Sequence, residues 1–350
     1  MKHVTLEDIA KLLNISKVAV SKALRDHPDI SEETKKRVQT LVKKLDYYPN
    51  YIARNLSTKK TFTIGVVVPD VGNPFFASAI DGIVDVATEK GYNTILTVSR
   101  ENTELERQNI HTLLSMRVDG LLVSISQKTT DVTLYERLAK RKIRLVFFDR
   151  AIKHLGFSSV TVNDRKGASQ LIEYVLQQGY TKIAHLAGYS SLDIGKNRRL
   201  GFLDAMRKRN LPVKPEWILE GGFRQEDGYR NMLTVLQMKD RPELVFAVND
   251  PVAKGAYRAV HEKQLRIPDD VAMVGFGYGE YARMLVPPLT IMKQNPVAIG
   301  QKAAECLMEE IEQSIRKEPK SIVIPMEFVV GESCKTNPIK KNTANKDTPI

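Results

Sequence analysis

TLEDIAKLLNISKVAVSKAL, residues 5–24, reads as two short helices joined by a tight turn. Thr5 and Asp8 form an N-terminal capping pattern, in which the Thr5 side-chain oxygen takes up an orphan backbone N–H. Leu6, Ile9, Ala10 and Leu13 recur at helical spacing and mark a stripe to be buried. Asn14 tolerates the left-handed backbone that a tight turn needs. Ser16 caps the second helix, on which Val20, Ala23 and Leu24 face inward. Lys17, Val18, Ser21, Lys22 and Arg25 then fall on the outer face, with three cations, no acid and one apolar residue. Two readings of that face stand side by side. It is a solvated charged surface, or it is a recognition helix for the DNA major groove. There lysine and arginine donate to guanine O6 and N7, and valine touches a thymine methyl.

The segment after it favours a small helical domain. Ser31 caps a third helix whose first turn carries Glu32 and Glu33, well placed for the helix dipole. Val38, Leu41, Val42 and Leu45 supply its apolar face. Tyr47-Tyr48-Pro49 ends the run, because the residue before proline avoids helix. Asn50 to Ser57, NYIARNLS, has the length of a two-turn helix, too short to be stable alone. It is a linker, or a hinge that orders on DNA, with Leu56 as an apolar wedge for the minor groove.

Charge supports a polyanion-binding head. The chain has 350 residues and a net charge of +12, with 53 Lys and Arg against 41 Asp and Glu. Residues 1–60 hold 13 basic and 7 acidic side chains, whereas residues 61–330 hold 36 and 32. Half the excess thus sits in the first sixth of the chain. Cys306 and Cys334 are the only cysteines, which speaks against a disulfide scaffold, and the six scattered histidines give no zinc spacing. No apolar run approaches the ~20 residues of a membrane helix. The start, MKHVTLEDIAK, puts acids where a secretion signal would be apolar. A cytoplasmic protein without membrane contact is expected.

From Phe62 onward strand-like and helical runs alternate. TIGVVVP, residues 63–69, is the β-branched run of a buried parallel strand. Further strands are expected at 92–98, 120–124, 144–148, 182–187, 244–248 and 271–276, and a last one at 321–328. Helices are expected at 77–90, 104–116, 133–140, 165–178, 197–210, 225–236, 251–262 and 296–315. The rhythm predicts doubly wound α/β folding with parallel sheets, and some 270 residues are too many for one such sheet, so two lobes are expected. The domains are thus residues 1–49, a hinge and linker at 50–61, a two-lobed body at 62–330 and a polar, disordered tail at 331–350.

In such folds ligands sit beyond the carboxyl ends of strands. Those ends carry Asp70 to Phe76, Ser124 to Ser126, Phe148-Asp149-Arg150 and Val248-Asn249-Asp250. An Asp-Arg pair, an Asn-Asp pair and two aromatics suit a polyhydroxy ligand. Asp and Asn also favour strand-to-helix turns for purely structural reasons. Catalytic signatures are missing: no phosphate-loop lysine, no G-x-S-x-G, and no nucleophile with its base. Gly275-Phe-Gly-Tyr-Gly279 lacks the spacing of a nucleotide loop. Neither an enzyme nor a resident cofactor or metal is expected.

The chain resembles the LacI/GalR family of bacterial transcription regulators. The resemblance rests on VTLEDIAKLLNISKVAVSKAL, ISEETKKRV, YYPN and ARNLSTKKTFTIGVVVPD in the head and hinge. GNPFFASAIDGI, DGLLVS, FFDR, NRRLGF, AVND and PPLTIMKQ extend it to about residue 330. It implies a homodimeric, ligand-responsive repressor of carbohydrate-utilisation genes that binds a palindromic DNA operator. The alternative is a sugar-binding receptor with no transcriptional role. By motif position, Lys17, Val18 and Lys22 would read bases, and Ser16, Ser21, Ser31, Thr34 and Asn50 would meet phosphates, with Thr5, Leu6, Arg25 and Tyr47 on the same surface. Leu56 matches the family's wedge leucine and Ala53 its small neighbour. Lys22 departs from the usual arginine, giving a point contact in place of a bidentate fork. In a periplasmic-sugar-binding type of body, Phe75, Phe76, Ser124, Asp149, Arg150, Arg198, Phe223, Asn249, Tyr278 and Gln294 would line a cleft for a sugar or sugar derivative. The acid that many members carry after V-G-[FY] is absent here, because Gly277 and Tyr278 follow Val274-Gly275-Phe276.

Overall fold

The computed structural model describes residues 4–24, 26–47, 60–313 and 318–335. The chain divides into two compact units, residues 1–61 and 62–350.

In the head, α1 (Leu6–Leu13), α2 (Lys17–Ala23) and α3 (Glu32–Lys44) are set by their caps. The Thr5 hydroxyl accepts from the Asp8 backbone N–H, and the Asp8 carboxylate accepts from the Thr5 N–H at 2.9 Å, a reciprocal capping box. Asn14 takes φ 54° and ends α1 in the left-handed region. Ser16 Oγ then accepts from the Ala19 N–H at 3.0 Å and starts α2. Ile9, Ala10, Val20, Ala23 and Val38 close the core between the three helices. Tyr47 joins them and is only 8% exposed, which corrects its placement on the DNA-binding surface.

The body holds two six-stranded sheets. The first contains β1 (Thr63–Val68), β2 (Asn93–Val98), β3 (Gly120–Val123), β4 (Leu145–Phe148) and β5 (Ser158–Thr161), with β11 (Ser321–Val323) at its edge. Its order is β11-β5-β4-β3-β1-β2, parallel throughout. The second contains β6 (Ile183–Ala187), β7 (Ile218–Glu220), β8 (Leu244–Ala247), β9 (Ala272–Tyr278), β10 (Thr290–Gln294) and β12 (Glu327–Val329). Its order is β12-β10-β9-β8-β6-β7, parallel except for the antiparallel edge pair β10–β12. Alternate residues feed opposite faces, and both faces of each sheet are covered, which is why the strands read as unbroken apolar runs. On the first sheet, α4 (Pro74–Glu89) and α12 (Pro296–Glu312) cover Ile64, Val66 and Leu122, and α5 (Thr103–Ser115) and α6 (Thr133–Lys140) cover Val67, Leu121 and Phe147. On the second, α7 (Asp164–Gln177) and α8 (Asp193–Lys208) lie on one face, and α9 (Gln225–Gln237) and α10 (Asp250–Glu262) on the other.

Helices α4 and α12 meet backbone to backbone. A Cβ on Gly300 would fall 1.9 Å from the Ala79 carbonyl oxygen, and one on Gly82 would fall 2.3 Å from that of Val297.

The chain passes between the lobes three times: from β5 to α7, from β10 to α12, and from β11 to β12. The single last strand expected at 321–328 is therefore two, one in each sheet, broken where Pro325 cannot donate to a ladder. The boundary at 330 also needs correction. Residues 331–335 pack on the second sheet, where Ser333 Oγ donates to the Met273 carbonyl and accepts from the Thr290 N–H at 2.8 Å. Cys334 beside it is 3% exposed. Helix α11 (Gly279–Met284) completes the body.

Candidate functional site

On the head, Lys17 and Val18 stand exposed on the first turn of α2, Val18 at 64%, large for an apolar side chain. Lys22 lies one turn on, and its Nζ sits 2.6 Å from an Asp29 carboxylate oxygen. The expected acid-free face thus has an acid brought to it by the loop after α2. That partner holds the Asp29 carboxyl below the ordinary range, through the hydrogen bond and charge of Lys22. Ser31 Oγ and Thr34 Oγ1 are 2.9 Å apart at the start of α3, and Ser31 also caps that helix. Thr5 and Ser16 spend their oxygens as caps, and Leu6 is half-buried against the core. Ser21 is half-buried on the outer side of α2. Arg25, Asn50, Ala53 and Leu56 lie outside the described residues.

In the body, the strand ends of the two sheets converge on a cleft. Its centre encloses about 40 Å³ between Asn73, Phe75, Phe76, Asp149, Arg150, Ile194, Arg198, Phe223, Asn249, Asp250, Pro251, Gly277 and Gln294. A larger space of about 220 Å³ adjoins it, reaching Asp70, Arg224, Lys254 and Tyr281. Eight of the ten sequence-predicted residues meet there. The other two do not line it: Ser124 is fully buried at the end of β3, and Tyr278 stands behind the wall as the N-cap of α11.

Arg150 dominates the first lobe's side. Its Nη1 donates to both Glu101 carboxylate oxygens at 3.0 Å and to the Ile125 carbonyl at 3.2 Å. The guanidinium lies 5.6 Å from the Phe76 ring centroid and 5.3 Å from that of Phe223 in the other lobe, so the aromatic slot between the lobes is filled by a cation. Backbone strain gathers here. Arg100, Glu101 and Asp149 take φ of 51°, 58° and 60°, a region non-glycine residues enter at a cost. The Glu101 carboxylate, at the second of these positions, faces Arg150.

Arg198 dominates the second lobe's side and is 2% exposed. Its Nε donates to Asp164 at 2.7 Å, Nη1 to the Val248 carbonyl, and Nη2 to Gln294 Oε1 at 3.3 Å. The guanidinium lies 4.1 Å from the centroid of Phe276. Asn249 Oδ1 caps α10, and its Nδ2 donates to the Phe223 carbonyl at 3.0 Å. The turn-and-cap role expected of such residues is thus real, and it also positions Phe223.

Glu101 and Asp164 escaped the sequence reading, because the pairs they make span 49 and 34 residues. Asp250 was visible in the Asn-Asp pair, but its place in the wall depends on Gly277, a neighbour on β9.

Burial pushes the Asp149 and Asp250 carboxyls up to about 7, against the lowering pull of Arg150 and Arg198 on the first and the Tyr278 N–H on the second. A folded value above the unfolded one means that this part of the stability is full below about pH 4 and lost as pH rises through about 7. Fully buried His185, lowered to about 4 by burial, acts in the opposite sense but only below about 6.5. Urea unfolding of the body should therefore show lower stability at pH 8 than at pH 6.5. Asp250→Asn should flatten that difference.

Among the described residues no group of His, Cys, Asp and Glu could hold a metal ion, and no helix is long and apolar enough to cross a membrane.

Residues 5–50 match the model for bacterial regulatory proteins of the lacI family, and residues 172–334 match the periplasmic binding protein-like domain. The HTH-type transcriptional repressor PurR of Histophilus somni (strain 2336) is 31% identical over 332 residues, covering 95% of this chain and 99% of the relative. The Bacillus subtilis (strain 168) protein named "Probable HTH-type transcriptional repressor ExuR" is 32% identical over 334 residues, covering 94% and 98%. Among solved structures, the lac repressor dimer bound to operator and the anti-inducer ONPF shares the fold with a TM-score of 0.84 at 23% identity, covering 95% of this chain and 100% of that one. The complex of the transcriptional regulator CelR with cellobiose gives 0.71 at 25% identity, covering 95% and 100%.

Proposed function

Because the chain belongs to the LacI family of bacterial regulatory proteins, which are transcription regulators and not enzymes, we propose that it is a cytoplasmic, homodimeric repressor that reads a roughly palindromic operator and answers to a small polyhydroxy effector held between its lobes. The observation that carries this reading is the presence in one chain of two parts. One is a capped helix-turn-helix exposing Lys17 and Val18. The other is a cleft lined by guanidinium, carboxylate, amide and aromatic groups.

In the proposed complex α2 lies in the major groove. Lys17 and Lys22 donate to guanine edges, and Val18 packs on a thymine methyl. Lys22 exchanges Asp29 for DNA, so its contribution is the difference between the two partners. Ser16, Ser21, Ser31, Thr34 and Asn50 are assigned to phosphates, with Thr5 and Arg25 beside them. Leu56 and Ala53 are assigned to the minor groove. The effector binds one arrangement of the lobes better than another, and that differential affinity shifts the population of DNA-competent protein. The CelR complex, whose bound molecule is cellobiose, supports the choice of a sugar-like effector.

Gel shifts with genomic fragments, with and without sugars, test this. Operator affinity should fall about a thousandfold or more between about 50 and 200 mM salt if six or more phosphates are engaged. Salt-insensitive binding would sink the repressor reading. Substitutions at Lys17 or Val18 should change which base is preferred, by about 1–3 kcal/mol per contact. A uniform loss on all sequences would move these side chains from bases to backbone.

A further inference from the structure

We propose that Asp250, lodged in a notch created by Gly277, selects the effector, and that the effector offers it a hydrogen-bond donor, hydroxyl or ammonium, rather than a carboxylate or phosphate. This rests on the reading that the cleft is the effector site.

The notch is specific to glycine. A Cβ on residue 277 would stand 1.8 Å from Asp250 Oδ1 and 2.5 Å from Oδ2. With no side chain on Gly277, the carboxylate settles against the end of β9. Its Oδ2 accepts the Tyr278 N–H at 2.6 Å. Its Oδ1 is buried with no hydrogen-bond partner, an arrangement that costs free energy unless something supplies a donor. The carboxylate missing from the stretch after Val274-Gly275-Phe276 is therefore supplied from α10, at the wall of the same cavity.

The rest of the cavity argues against an anion. Arg198 already spends three of its five N–H groups, on Asp164, Val248 and Gln294. Arg150 is tied to Glu101 and the Ile125 carbonyl. Four carboxyl groups, of Glu101, Asp149, Asp164 and Asp250, thus face two guanidinium groups. A ligand carboxylate or phosphate would add negative charge to a site where burial already resists ionisation of Asp149 and Asp250. A hydroxyl or ammonium meets Asp250 directly. A ligand oxygen beside it can accept from Gln294 Nε2, which is also buried and unbonded.

Thermal-shift screening of the full chain against three sets of monosaccharides tests this: neutral sugars and polyols, amino sugars, and uronates with sugar phosphates. Isothermal titration then follows for each binder. Binders are expected among the first two sets, and affinities within them distinguish hydroxyl from ammonium as the donor. Asp250→Asn, close to isosteric, should weaken each by about 10-fold to 100-fold. Gly277→Ala, which evicts the carboxylate without removing it, should do the same. Binding confined to uronates and phosphates, or an undiminished affinity in folded Asp250→Asn, overturns the proposal while leaving the cleft as the effector site. Failure of all three sets, with cellobiose and other disaccharides added to the first, overturns the sugar-like effector on which the proposal rests, and the proposal with it.

Discussion

Arg198→Ala should lower the stability of the body by about 3–5 kcal/mol in urea unfolding, the range for removing one partner of a buried charge pair. The effect is large because one side chain serves three elements. It reaches the start of α7 through Asp164, the turn before α10 through the Val248 carbonyl, and the end of β10 through Gln294. Truncation leaves the Asp164 carboxylate buried without its cation and takes the packed guanidinium off the Phe276 ring. The response of operator binding to effector should vanish as well, since Gln294 and the cavity wall lose their anchor. A double variant, Arg198→Met with Asp164→Leu, separates the two effects. Stability should return to within about 1–2 kcal/mol of wild type, because apolar replacement of both partners removes the stranded charge, but the effector response should stay lost. Restoration of the response by the double variant would show that Arg198 acts only as a strut.

Gly300→Val should destabilise the first lobe by about 3 kcal/mol, the upper end of the usual range for overpacking. The obstacle is backbone rather than a movable side chain. A Cβ at 300 meets the Ala79 carbonyl oxygen at 1.9 Å, and Gly82 faces the Val297 carbonyl at 2.3 Å. Relief requires α4 and α12 to separate, which would open the core to which α4 gives Ile83 and α12 gives Ile299, Ala303 and Leu307. Gly300→Ala sharpens the test. Helix propensity alone would reward it by about 1 kcal/mol, so a stabilised alanine variant in chemical denaturation would refute the close-packing account. Destabilisation by either residue shows that interhelical contact outweighs propensity.

Much of this was legible in local sequence, for physical reasons that can be located. The caps at Thr5, Ser16 and Ser31 act within three residues, and Asn14 sets its turn through its own backbone. Strands buried on both faces, such as TIGVVV, announce themselves by composition. Strands β5, β7 and β10 did not, because SSVT, ILE and TIMKQ are short or carry polar residues. Helices α4 and α8 begin earlier than their apolar periodicity, at Pro74 and Asp193. Asn73 with Pro74 after it is a start signal that periodicity alone passes over. In the cleft, the residues on strand ends were readable as a set. The pairing of Arg150 with Glu101, of Arg198 with Asp164, and of Asp250 with the bare Gly277 was not. Each joins distant segments, and each turns a formal charge into a satisfied or an unsatisfied one.

The three passages between the lobes bear on how the chain is made. Neither lobe is a continuous stretch: the first needs α12 and β11, which emerge only after nearly all of the second. During synthesis the face of the first sheet that holds Ile64, Val66 and Leu122 stays without half its cover until residues 296–312 leave the ribosome. Vectorial emergence thus leaves an apolar surface waiting on some 130 later residues of chain, the kind of delay that exposes a nascent protein to aggregation and to capture by chaperones.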